Sequence, residues 1–314
     1  MSRTQFPKPK GNGWFLTFPT PYPGECFYSV LCRYHQQSGN ASGRNSSIQL
    51  FGDVPNLSPT VVLPYRLDNS TRWLHPYSGI TQTGILSANT AWQYIQTSDL
   101  FTYNDVVKVM EARPHRGRGK QLQMHMATRG KKQKLCYCPQ CAVEDYQQFH
   151  ETYWHLLHQL EGVKYCPRHG TAIRQSKVPS HKTMFFYAPA SEIISERLAW
   201  NESIEDSLTE AELSFSDQYT KLGRTIDWLL SYGRKQYEGE HMHSFYNNRL
   251  LSQNSKKSLV SLVWEKAGRS FICDLFTEEY AESLKTAILM NGMNQQPPLV
   301  HALVLMALVT DLPR

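Results

Sequence analysis

A chain of 314 residues, 40% of them hydrophobic, can bury two or three cores. Its mean hydropathy is −0.48, and no apolar run reaches the roughly 20 residues that span a bilayer, which excludes a membrane-spanning helical protein. The net charge of +6 is modest, but eight Lys or Arg and no acidic residue fall between Ala112 and Leu135, so an anionic partner is expected there.

The N-terminal M-S-R-T-Q-F-P-K-P-K lacks the apolar centre of a secretion signal, and a cytosolic location follows. Five prolines before Gly24 make this an extended arm with apolar anchors at Trp14, Phe15, Leu16 and Phe18. Its plainer role is to pack on its own domain. Phe27, Val30, Leu31 and Tyr34 repeat at helical spacing and predict a helix over Glu25–Gln37, ended by Gly39. A polar loop is expected through Ser47, then an apolar segment over Ile48–Phe51. Further helices are expected over Tyr65–His75, Ser87–Gln96 and Tyr103–Ala112.

The run R-P-H-R-G-R-G-K contains G-R-G-K, which resembles a phosphate loop. Pro114 stands where that loop needs its first Gly, and Gln121 where it needs Ser or Thr, so no nucleotide site is read here. Beyond Ser180, helices are expected over Asp217–Tyr232, Lys256–Ala267, Thr277–Asn291 and Leu299–Val309, punctuated by Gly233, Gly268, Gly292 and Pro297-Pro298. The acidic stretch Glu202–Glu212 reads as a solvated face or linker.

The most informative stretch is C-Y-C-P-Q-C followed, after 24 residues from Cys141, by C-P-R-H-G. Cys138 with Cys141, and Cys166 with His169, form two x-x chelates, each with Pro pre-setting the turn. Four such ligands suit one tetrahedral zinc ion, and four protein ligands leave no open position, so the centre reads as structural. Cys136, His155 and His158 are possible substitutes, with His158 better placed as a supporting residue. Cys26, Cys32 and Cys273 read as small buried apolar residues. Val143, Tyr146, Phe149, Tyr153, Leu156, Leu157 and Leu160 predict one helix bridging the two chelates. H-E-T-Y-W-H is one residue too long for a zinc-protease motif, because His150 and His155 fall on different helix faces.

C-P-Q-C and C-P-R-H-G, with Y-W-H and H-Q-L between them, resemble the TniQ/TnsD family of transposon target selectors. F-P-T-P-Y-P-G-E-C-F-Y-S-V-L-C-R and L-P-Y-R-L (Leu63–Leu67) are similar to the family's opening, over roughly residues 14–175. P-P-L-V-H-A-L-V-L-M resembles part of a TnsD-type extension. Members of that type continue well past the segment where this chain stops, so a truncated or naturally short form is expected.

The resemblance implies a non-catalytic bacterial protein that recognises a target, either double-stranded DNA or a CRISPR effector bound there, and recruits the AAA+ regulator TnsC. It carries Cys138, Cys141, Cys166 and His169 over as zinc ligands and makes the arm, with Trp14, Phe15, Phe18 and Tyr22, and the first helix the candidate contact for the ATPase. Arg113, Arg116, Arg118, Lys120, Arg129, Lys131, Lys132 and Lys134 are the candidate phosphate contacts. The expected architecture is mainly α. It has an N-terminal arm and helical domain (1–112), a basic loop with a small zinc-binding module (113–180) and a C-terminal helical domain (181–314). A protein adaptor linking TnsC to an RNA-guided effector, with little direct DNA reading, is the alternative. An enzyme is disfavoured, since no open metal site or phosphate loop is present.

Overall fold

The computed structural model describes residues 18–51, 61, 82–95, 132–180, 187–198, 210–236, 256–291, 293 and 296–308. Helices α1 (Phe27–Gln37), α2 (Gly43–Phe51), α3 (Gln82–Asn89) and α4 (Trp92–Ile95) come first. The middle holds β1 (Lys134–Tyr137), α5 (Pro139–Phe149), α6 (Leu156–Gln159) and β2 (Arg174–Pro179). Then follow α7 (Ala190–Leu198), α8 (Glu210–Ser214), α9 (Ser216–Gln236), α10 (Lys256–Ala267), α11 (Arg269–Leu275), α12 (Glu278–Asn291) and α13 (Pro298–Leu308). The expected mainly helical class is observed, with β1 and β2 paired antiparallel as the one sheet among the described residues. The helices expected over Tyr65–His75 and Tyr103–Ala112 lie outside the described residues.

Helix α1 begins two residues later than its sequence suggests and is buried from Phe27 through Tyr34. It ends where the Ser38 amide donates to Tyr34 O at 2.8 Å and Gly39 turns with φ 65°. Ahead of it, residues 18–23 of the arm pack on their own chain. Phe18 is buried, with its ring centroid 5.4 Å from that of Tyr34. The Arg33 guanidinium lies 3.8 Å over the Tyr22 ring and bonds Thr20 O, the Glu25 carboxylate and the Glu151 carboxylate. Residues 24–26 run alongside 154–156: the Cys26 amide donates to Trp154 O at 3.0 Å and the Leu156 amide to Gly24 O at 2.8 Å.

That pairing explains a departure from expectation. The single helix expected between the two chelates is broken at His150, whose φ is 59°. The chain then extends through Trp154, which is fully buried and donates its indole N–H to Ala188 O at 2.8 Å. Backbone pairing with the arm and burial of Trp154 outweigh the helical pattern of 143–160, and only α6 resumes it. Two smaller differences have local causes. The polar loop expected through Ser47 is the first half of α2, started by Ser42, whose hydroxyl accepts the Asn45 amide at 3.3 Å. The helix expected over Ser87–Gln96 is divided at Thr90, whose hydroxyl accepts the Trp92 amide at 3.3 Å.

In the C-terminal part, α9, α10, α12 and α13 lie within a few residues of their expected spans. Arg269–Leu275 adds a further helix after Gly268, whose φ is 86°. Helix α13 is buried on every side from Pro298 to Met306, which explains its nearly continuous apolar sequence. It packs against α9 and α10, and α9 in turn packs on α4. The buried apolar side chains form one cluster from Phe18 through Trp154 to Met306. No helix among the described residues is long and apolar enough to cross a membrane.

Candidate metal centre

Both chelates are built by short-range backbone geometry. Cys138 is the extended residue before α5, Pro139 fills the first helical position, and Cys141 lies in the first turn. The thiols therefore gather at a helix N-terminus, where unpaired amides favour negative charge. The second chelate is a tight turn: the Gly170 amide donates to Cys166 O at 2.7 Å, and Gly170 has φ 64°. The Cys166 amide donates to Thr171 O at 2.8 Å and closes the turn as a small hairpin. Thr171 Oγ1 donates to Gln140 Oε1 at 3.0 Å, tying the two turns together.

Cys138, Cys141, Cys166 and His169 place one ligand atom each within 4.8 Å of all the others. Cys141 Sγ and Cys166 Sγ are 3.7 Å apart, against about 3.8 Å for two thiolates on tetrahedral zinc at about 2.3 Å each. His169 Nδ1 is 3.5 Å from Cys138 Sγ, 3.3 Å from Cys141 Sγ and 3.6 Å from Cys166 Sγ, against about 3.6 Å for the same geometry. A disulfide would need sulfurs about 2.0 Å apart, so 3.7 Å is a metal-site spacing rather than a cystine. The three cysteines are buried and His169 is nearly so. These four residues could hold one metal ion, and the donor set fits zinc.

Charge explains why a cation belongs here. The Cys166 thiol is held far down by hydrogen bonds from the Cys138 and Cys141 thiols, whereas Cys141 is driven up by the same sharing. Crowding three thiols disfavours ionising all of them together, a penalty that a bound cation would offset. His169 Nε2 donates to Glu144 Oε1 at 3.1 Å, which puts the proton on Nε2 and leaves the Nδ1 lone pair facing the thiols. Glu144 also pairs with Arg168 at 3.0 Å.

Of the residues considered as substitutes, Cys136 and His155 stand apart from this group, while His158 touches it. Cys136 lies on β1 with its thiol 3.3 Å from Lys134 O. His155 is bound to Asp145 at 2.8 Å. His158 is buried, with Nε2 3.8 Å from Cys141 Sγ, and desolvation lowers its pKa to about 4. It is a neutral neighbour of the sulfur. Sequence reasoning missed two supporting residues. Glu144 falls one helical turn after Cys141, a spacing that could have pointed to it. Gln159 accepts the Cys136 amide at 2.9 Å and donates to Cys136 O at 2.7 Å, clamping β1 to α6, and nothing local signals that.

Of the candidate phosphate contacts, Arg113, Arg116, Arg118, Lys120, Arg129 and Lys131 lie outside the described residues. Lys132 turns inward, donating to His158 O at 2.5 Å and Val163 O at 2.6 Å. Lys134 is exposed on β1. Of the candidate partner contacts, Trp14 and Phe15 lie outside the described residues and Phe18 is buried. Tyr22 stacks on Phe149 at 4.3 Å and donates to Glu151 Oε1 at 2.7 Å.

Comparison with known proteins bears on this arrangement directly. Residues 16–173 match the TniQ family, a span that contains α1, the arm-pairing segment and all four clustered ligands. The chain is also 22% identical over 181 residues to the transposon Tn7 transposition protein TnsD of Escherichia coli, over 57% of this chain and 35% of that relative. It therefore spans only about a third of that relative's length. With half of its length matched, and the metal centre inside the match, the chain belongs to the TniQ family.

Proposed function

We propose that this protein is a non-catalytic target-site selector for DNA transposition, which binds double-stranded target DNA and recruits the AAA+ regulator TnsC to direct the transposase. The observation that carries the reading is the position of the Cys138–Cys141–Cys166–His169 cluster inside the TniQ match. The similarity to TnsD, a transposition protein, supports it. A centre with four protein ligands has no place for a substrate and so supports scaffolding over catalysis. Bound zinc would supply folding energy at residues 136–170. In this reading 113–180 is the stapled module joining helical parts 1–112 and 181–314, and the protein works in the bacterial cytoplasm beside its DNA. The arm reaches the ATPase through Trp14 and Phe15, with Phe18 and Tyr22 fixing its base.

A second reading draws support from Lys132. Its ammonium is committed to two backbone carbonyls, which removes one candidate phosphate contact. That favours a protein adaptor linking TnsC to an RNA-guided CRISPR effector with little direct DNA reading. Capture of the AAA+ regulator by the full chain, with and without target duplex, tests the selector reading. Retention of the ATPase is expected, strengthened by duplex, and failure to retain it in both cases overturns the proposal. Retention that a CRISPR effector strengthens and bare duplex does not is the result expected of the adaptor.

A further inference from the structure

Strands β1 and β2 bring together two lysines that lie more than 40 residues apart in sequence, Lys134 and Lys177. Lys134 pairs with Pro179, and the Ser180 amide donates to Gln133 O at 2.9 Å, which carries the pairing past Lys134. Burial alternates along β2: Ser176 and Val178 face inward, while Gln175, Lys177 and Pro179 face solvent. On β1, Leu135 is buried and Lys134 is exposed beside Pro179. Lys177, two residues before Pro179 and exposed like it, thus lies on the same solvent side as Lys134, beside the irregular pairing between Lys134 and Cys136.

Neither strand contains an acidic residue. Among the described residues, neither Lys134 nor Lys177 has an ion-pair partner. Carboxylates of the segment between the strands are committed elsewhere, Glu144 to Arg168 and His169, Asp145 to His155, and Glu151 to Arg33, and Glu192 on α7, which packs on β2, accepts from Gln36. The face also lacks the features of other partners. None of the large apolar side chains exposed among the described residues lies on β1 or β2, so an apolar centre for protein docking is missing. Tyr137, the ribbon's aromatic residue, is buried, so no ring is offered for stacking the bases of a single strand.

We propose that the solvent face of the β1–β2 ribbon, through Lys134 and Lys177, docks on the phosphate backbone of double-stranded DNA. The inference rests on the DNA-binding reading above and locates its electrostatic contact. Two-stranded ribbons fit the width of a major groove, and lysines on such a face position the duplex without reading its sequence.

The test is fluorescence anisotropy of the full chain with a duplex of about 30 base pairs, between about 50 and 300 mM salt. The double variant Lys134→Gln/Lys177→Gln should flatten the slope of log affinity against log salt by about 1.8, two contacts at about 0.9 each. It should weaken two unrelated duplex sequences equally, with thermal unfolding unchanged. Arg269→Gln, which removes one exposed charge from α11, is the control and should leave the slope alone. A double variant with the wild-type slope overturns the ribbon contact while leaving DNA binding intact. Wild-type chain that binds no duplex at low salt overturns both. Tighter binding of a single strand of equal length overturns the choice of duplex.

Discussion

The metal-centre region and the C-terminal helices are two solutions to the same problem of holding a chain in one conformation. Between Lys134 and Pro179 the regular elements are short, and polar bonds tie them together beside buried apolar residues such as Trp154, Leu156 and Val163. Four ligand atoms lie within 4.8 Å of one another, Gln159 clamps Cys136 by both backbone groups, and Lys132 bonds two carbonyls. In α9, α10 and α13 the contacts are apolar, with Leu222, Ile226, Val263 and Leu303 all buried. The first design concentrates stability in a few directional bonds, whereas the second spreads it over buried area. Removing a small part should therefore be far more damaging in the first.

The largest expected effect comes from breaking the centre. Cys166→Ser should abolish zinc retention, read by elemental analysis, and cost a large part of the roughly 10–16 kcal/mol with which structural zinc folds small modules. Hydrogen exchange should speed up across 134–179 before it does in α9. Equal loss in both regions would show that the two are not separate designs. Leu303→Ala in α13 should cost about 2–5 kcal/mol in thermal or denaturant unfolding. One zinc per chain should remain, and loss of zinc would break the comparison from the other side.

Gly162 is where the regions meet. Its φ is +80°, and an added Cβ would lie 2.5 Å from Leu299 Cδ1, with Leu222 and Ile226 close by. Gly162→Ala should cost about 2–4 kcal/mol through backbone strain and overpacking. Unchanged stability would mean that the turn is free to move away from α13.

A smaller effect concerns pH. Burial pushes the Glu25 carboxyl up from 4.5 to about 7, with Arg33 partly opposing. A raised carboxyl binds its proton more tightly when folded. Its contribution is therefore fully present below about pH 4.5 and is lost as pH rises through about 7. Glu25→Gln should remove that loss, up to about 3 kcal/mol for a shift of this size, so the variant gains on wild type as pH rises from about 4.5 to 7. Parallel pH–stability curves for the two proteins would refute the assignment.

What the sequence alone determined is local. The x-x spacing of Cys138–Cys141 and Cys166–His169 picked out four side chains that the fold gathers into a group able to hold a metal ion, because a chelating turn needs only its own few residues. Helical periodicity located α1, α9, α10, α12 and α13, because the apolar stripe of each is written within it. What only tertiary structure decided depends on residues far apart. The break at His150 follows from pairing with the arm, whose Tyr22 reaches Glu151 across 129 residues of chain. The β1–β2 sheet joins strands whose short polar sequences carry little signal of their own. Among the lysines that end the basic run, Lys132 is drawn into the interior by two carbonyls while Lys134 faces water. Charge in a sequence is a count, but its direction is set by the groups that the fold brings beside it.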